Sequence, residues 1–115
     1  MNSVHLGVME KRFAEMIWER EPISSHDLVK LTVVDFGWAR TTTHNMIKKL
    51  CKKGVFKNNK VIITSVLDRE QFYSLQAQQF VSDMFEGELK AFIIAFTKNN
   101  KLTQNEKDEI RKSIE

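Results

Sequence analysis

Apolar residues in this chain recur mostly at helical spacing. Between residues 6 and 20, Met9, Phe13, Met16 and Ile17 fall at i, i+4, i+7 and i+8, which places them on one face of an amphipathic helix with Trp18 beside it. Pro22 cannot continue that helix, and Ser24-Ser25-His26-Asp27 sets a serine three residues before an acid, a variant of the capping box that opens a second helix. Leu28 and Leu31 anchor it, and it is expected to end near residues 33–35, before a tight connection at Phe36-Gly37-Trp38.

The next stretch, residues 38–53, reads as a third helix with two unlike faces. Met46, Ile47 and Leu50 form its inward stripe, whereas Thr41, Asn45, Lys48 and Lys52 lie at i, i+4, i+7 and i+11 on the other side. Lys52 and Lys53 suit the negative end of the helix dipole, and Gly54 stands where a left-handed cap is common. Two β-prone runs follow, residues 55–57 and 60–64. Asn58-Asn59 joins them, a pair that tolerates the positive φ of a hairpin turn, so a two-stranded wing is expected.

At Asp68 the character changes. Asp68 with Gln71 is another capping pair, and Tyr73, Ala77, Phe80 and Met84 keep helical spacing up to Gly87. Leu89, Phe92, Ile93 and Phe96 repeat the pattern, and Thr103 with Glu106 caps a last helix containing Ile110 and Ile114. The expected fold is mainly α with a small β-hairpin wing: a winged helix-turn-helix over residues 1–67, then a helical dimerisation region over 68–115. No internal repeat or low-complexity tract separates the two.

Charge sharpens this picture. No carboxylate lies between Asp35 and Asp68, and residues 36–60 carry Arg40, Lys48, Lys49, Lys52, Lys53, Lys57 and Lys60. The chain's net charge is +3, so these seven leave about −4 elsewhere, and the positive charge is local. Length, 115 residues, suits one domain or a domain with an appendage, and 42% hydrophobic residues suffice for a core. The single cysteine excludes an intramolecular disulfide and a multi-cysteine metal site. No apolar run reaches the length of a membrane span or signal sequence, so cytoplasm is the expected compartment.

Helix, helix, glycine turn, basic helix and hairpin is the order of a winged helix-turn-helix, and the cations fall on the two elements with which that architecture meets duplex DNA. Bases are read by Arg or short polar groups near the recognition helix's N-terminus, which nominates Arg40, Thr41, Thr42, His44 and Asn45. Lys48, Lys52, Lys57 and Lys60 are the candidate phosphate ligands. His5, His26, His44 and Cys51 lack ligand spacing, and no catalytic motif stands out, so neither metal, cofactor nor enzymatic activity is expected. Phe80, Met84, Leu89, Phe92, Ile93 and Phe96 are the candidate dimer interface. Two other uses of these C-terminal helices are a protein-protein adaptor surface and a small-ligand-gated pocket.

The chain also resembles the penicillinase repressor (BlaI/MecI/CopY) family. Met16-Ile17-Trp18-Glu19-Arg20 with Pro22-Ile23 is similar to the family's first-helix ending, and Trp38-Ala39-Arg40-Thr41-Thr42 with Leu50-Cys51-Lys52-Lys53-Gly54 to its recognition helix. Phe80 to Phe85, Gly87, Leu89, Phe92 to Phe96, and Leu102-Thr103 with Glu109-Ile110 resemble its dimerisation region. The resemblance implies a homodimeric repressor on a palindromic operator. In the β-lactamase branch it further implies a sensor-linked protease that cuts an Asn-Phe bond, for which the matching candidate cleavage site here is Ala95-Phe96. A Ser-Pro opening common in the family's recognition helix is Ala39-Arg40 here, and one cysteine does not supply the cysteine-rich motif of the copper-sensing branch.

Overall fold

A computed structural model describes residues 4–115. The chain runs α1 (Val8–Arg20), β1 (Ile23–Ser24), α2 (Ser25–Phe36), α3 (Arg40–Lys52), β2 (Phe56–Asn59), β3 (Ile62–Ser65), α4 (Arg69–Phe85), α5 (Leu89–Thr97) and α6 (Gln104–Ile114). It divides into two compact units, Met1–Ala77 and Gln78–Glu115, with the division inside α4.

The first unit is built on one apolar core. Phe13, Ala14, Met16 and Ile17 of α1, Leu28 of α2, and Ile47 and Leu50 of α3 are buried together with Ile23, Val55, Phe56, Ile63 and Phe72. Local chemistry sets the helix ends. Ser24 Oγ accepts the Asp27 N–H at 3.0 Å to start α2. Gly37 closes α2 in the left-handed region at φ 66°, its N–H donating to the Thr32 carbonyl, and lets the chain turn at once toward α3.

Between α2 and α3 lies a polar contact inside the apolar core. Thr32 and Thr43 are fully buried, and their hydroxyls meet at 2.6 Å. Their other acceptors are the Val29 carbonyl, 3.2 Å from Thr32 Oγ1, and the Ala39 carbonyl, 3.4 Å from Thr43 Oγ1. One hydroxyl donates to the other, which donates in turn to its own backbone carbonyl, so neither group is left without a partner.

The wing differs from expectation in strand number and turn. The hairpin is present, but β1 adds a third strand in the order β1-β3-β2, pairing Ile23 with Ile63 and Ser24 with Ile62. The turn is at Lys60-Val61, both at positive φ (51° and 65°), and Asn58-Asn59 belongs to β2, paired with Ile63 and Ile62. Bonds from outside the hairpin explain the shift. The Ser25 N–H donates to the Val61 carbonyl at 2.8 Å, and Glu21 Oε1 accepts both the N–H and the hydroxyl of Ser65 at 2.8 Å. These contacts and the burial of Ile63 hold β3 in register, and the turn takes the residues that remain, although asparagine suits positive φ better than valine.

Asp68 and Gln71 cap α4 reciprocally, Asp68 N–H to Gln71 Oε1 at 2.9 Å and Gln71 N–H to Asp68 Oδ1 at 2.8 Å. Its first turns belong to the first unit. The Trp18 indole N–H donates to the Leu67 carbonyl at 2.9 Å, and the ring packs against Phe56, Phe72 and Tyr73. Tyr73 Oη donates to Glu15 at 2.7 Å, and Arg69 pairs with the other Glu15 oxygen at 2.5 Å.

In the second unit, Phe92 lies 6.0 Å from Phe80, 5.5 Å from Phe85 and 6.0 Å from Phe96, centroid to centroid. Thr103 and Glu106 cap α6 as their spacing predicts. Neither α5 nor α6 has a buried residue, and Met84, Leu89, Ile93 and Phe96 are exposed.

One ion pair ties α1 to the C-terminal end of α3. Glu10, with a side chain 12% exposed, accepts from Lys53 Nζ at 2.6 Å and from the Gly7 N–H at 3.1 Å, and Lys49 Nζ stands 3.7 Å away. Burial alone raises the Glu10 pKa, but the Lys53 and Gly7 hydrogen bonds and the two lysine charges outweigh it and hold the carboxyl below its ordinary value.

Two stability predictions follow from these contacts. Thr43→Ala removes one partner of a buried pair, so chemical denaturation is expected to show a loss of roughly 1–3 kcal/mol, with Thr32→Val/Thr43→Val together costing less than that single change. For Glu10, a lowered folded pKa means its contribution is complete above the unfolded carboxylate pKa and is lost as pH falls through the folded one. Glu10→Gln is therefore expected to cost roughly 1.5–3 kcal/mol near neutral pH. Denaturation at successively lower pH should bring the two proteins together, and a gap that widens on acidification contradicts the assignment.

Candidate nucleic-acid interface

α3 is held by its inward face and exposed on the other. Thr43, Ile47 and Leu50 are buried, at i, i+4 and i+7, while Thr41, Asn45, Lys48 and Lys52 are exposed along the opposite line. Thr43 thus completes an inward stripe of which Ile47 and Leu50 were the expected members, and the third, Met46, is partly buried against the core. The helix has Ala39 at its N-cap with no side-chain bond, so its first-turn N–H groups lack the acceptor that a Ser or Asp would supply.

The predicted base-reading residues gather on the first turns of this helix. Arg40, Thr41, Thr42 and Asn45 are exposed and His44 is half-buried. Of the predicted phosphate ligands, Lys48 and Lys52 stand on the outward line of α3. Lys57 is exposed on β2 and Lys60 at the hairpin tip.

The seven cations are not equivalent. Lys53 is 29% exposed and committed to Glu10 and to the His5 carbonyl, which it meets at 2.7 Å; Lys49 is 56% exposed and faces the same carboxylate. Among the described residues no carboxylate pairs with Arg40, Lys48, Lys52, Lys57 or Lys60 at salt-bridge distance. Local sequence carries no trace of the Glu10–Lys53 link, because 43 residues separate its partners. The Thr43 role was accessible from spacing, since it falls on the buried stripe, but a threonine does not announce itself as core.

The other candidates are dispersed. His5 and His26 are exposed, and Cys51 flanks the core, its thiol pKa pushed up by burial. Among the described residues no group of three His, Cys, Asp or Glu is placed to hold a metal ion, and no helix is long and apolar enough to cross a membrane. Ala95 and Phe96 lie within α5, both exposed.

A helix-turn-helix with an adjoining hairpin and an outward basic face is a DNA-binding arrangement, and comparison with known proteins gives it a lineage. The family model described as penicillinase repressor matches residues 6–115. The penicillinase repressor of Bacillus licheniformis is 22% identical over 110 residues, spanning 92% of this chain and 86% of that protein. The methicillin resistance regulatory protein MecI of Staphylococcus aureus is 23% identical over 106 residues, spanning 89% and 86%. The penicillinase repressor of Staphylococcus aureus is 22% identical over 112 residues, spanning 94% and 89%. From near its start to its last residue, this chain belongs to the penicillinase repressor family.

Proposed function

We propose that this protein is a DNA-binding transcriptional repressor that enters the major groove of its operator with α3 and touches the flanking backbone with the hairpin tip. The observation that carries the proposal is the outward face of α3, Thr41, Asn45, Lys48 and Lys52, exposed within a stretch that has no carboxylate from residue 36 to 67. Roles divide along the helix. Arg40, Thr41, Thr42, His44 and Asn45 are near enough to its N-terminus to meet base edges, and Lys48, Lys52, Lys57 and Lys60 hold phosphates. Family membership supports a DNA-binding repressor over an adaptor or a ligand-gated pocket.

In the same proposal residues 1–67 bind DNA and residues 68–115 join two copies. Phe80, Met84, Leu89, Ile93 and Phe96 are exposed apolar residues, and Phe92 is partly buried among the phenylalanines of the same unit. Large apolar side chains in contact with solvent are what a self-complementary interface covers. A two-fold dimer sets its two α3 helices in successive major grooves, about 34 Å apart. A protease that releases the repressor by cutting Ala95-Phe96 must reach a bond within α5, so that helix unwinds before cleavage.

Selection of bound duplexes from a random pool is expected to return a palindrome with half-sites one helical turn apart, and enrichment without two-fold symmetry contradicts the dimeric reading. On the selected operator, Arg40→Ala is expected to relax base preference by about 1–3 kcal/mol at one position of each half-site, whereas Lys52→Ala weakens binding to every sequence alike. Equal, sequence-independent losses from both rule out the division of roles. Sedimentation of Phe96→Ala is expected to show a dimer weakened by on the order of 3 kcal/mol, and a full-strength dimer places the interface elsewhere.

A further inference from the structure

Of the four lysines on α3 and its C-cap, Lys49 and Lys53 face away from the line that carries the other polar groups. Counting round the helix from Thr41, Lys48 and Lys52 return to within about 20° of it, while Lys49 and Lys53 lie about 80° and 120° away on the side that meets α1. Glu10 of α1 receives both: Lys53 at 2.6 Å on one oxygen and Lys49 at 3.7 Å on the other, which also accepts the Gly7 N–H. The Gly7 bond and the low exposure of Glu10 fix the carboxylate in place, so it acts as a stationary counter-charge at the edge of the basic face.

From this we infer that Glu10 sets the reach of the phosphate clamp by withholding Lys49 from the DNA backbone. The inference rests on the DNA-binding reading above. A lysine bound to phosphate contributes equally to all sequences, so each cation kept back lowers sequence-independent affinity and leaves base discrimination intact. Of seven positive charges between residues 36 and 60, five then remain for DNA: Arg40, Lys48, Lys52, Lys57 and Lys60.

The test is the salt dependence of binding to random duplex DNA, measured for the full-length wild type, Lys49→Ala, Lys52→Ala, Glu10→Gln and Glu10→Gln/Lys49→Ala, with circular dichroism confirming the fold of each. Lys53 stays held by the His5 carbonyl, so freeing Lys49 adds about one phosphate contact per protomer and steepens the logarithmic salt slope by about 0.9 per protomer. Between 50 and 200 mM salt, Glu10→Gln is accordingly expected to lose affinity by an extra factor of about 3.5 per protomer, and adding Lys49→Ala is expected to cancel that excess. Lys49→Ala alone should leave the slope unchanged. The inference is overturned if Lys49→Ala alone flattens the slope as much as Lys52→Ala does, or if a folded Glu10→Gln matches the wild type. Should Glu10→Gln fail to fold, Lys49→Ala against Lys52→Ala still decides. If Lys52→Ala also has no effect and the wild-type slope is near zero, the DNA-binding reading itself has failed.

Discussion

The structure depends on one constraint: α3 is gripped along a single line. Thr43, Ile47 and Leu50 sink into the core of the first unit, and the Thr32–Thr43 hydroxyl pair, fully buried, fixes the rotation of α3 against α2. An apolar contact tolerates small rotations, whereas a 2.6 Å bond between two buried hydroxyls tolerates almost none. With the inward line fixed, helical geometry puts Thr41, Asn45, Lys48 and Lys52 outward together. The exposed polar face of α3 is therefore a consequence of packing on the opposite side.

Each neighbouring element supports that grip. Gly37 at φ 66° lets α2 give way to α3 within a few residues, so the two threonines can meet. The Glu10–Lys53 pair holds the other end of α3 to α1. The sheet is fixed from two directions, by β1 and by Glu21 at the end of α1, which places the tip residues Lys60 and Val61. Arg69 and Tyr73 on Glu15, with Trp18 on Leu67, fasten the first turns of α4 to α1.

Much of this was legible in the sequence because it is local. The capping pairs at Ser24, Asp68 and Thr103, the glycine after α2 and the outward line of α3 all follow from residues within four positions of each other or on one helical face. What was not legible is long-range. The turn at Lys60-Val61 goes against local preference and is imposed by Ser25, Glu21 and the pairing of Ile23 with Ile63. β1, two residues long, has no periodicity to detect. The pairing of Lys49 and Lys53 with Glu10 also depends on tertiary placement, so the count of seven charges between residues 36 and 60 did not show which of them face a carboxylate. For the candidate site, position on the helix was readable, whereas availability was not.

The most direct measurement of the central claim, that the outward face of α3 and the hairpin tip clamp a DNA backbone, is the salt dependence of operator affinity. With Lys48, Lys52, Lys57 and Lys60 from each of two protomers neutralising roughly eight phosphates, a plot of log affinity against log salt should have a slope near −7. A slope close to zero contradicts the account.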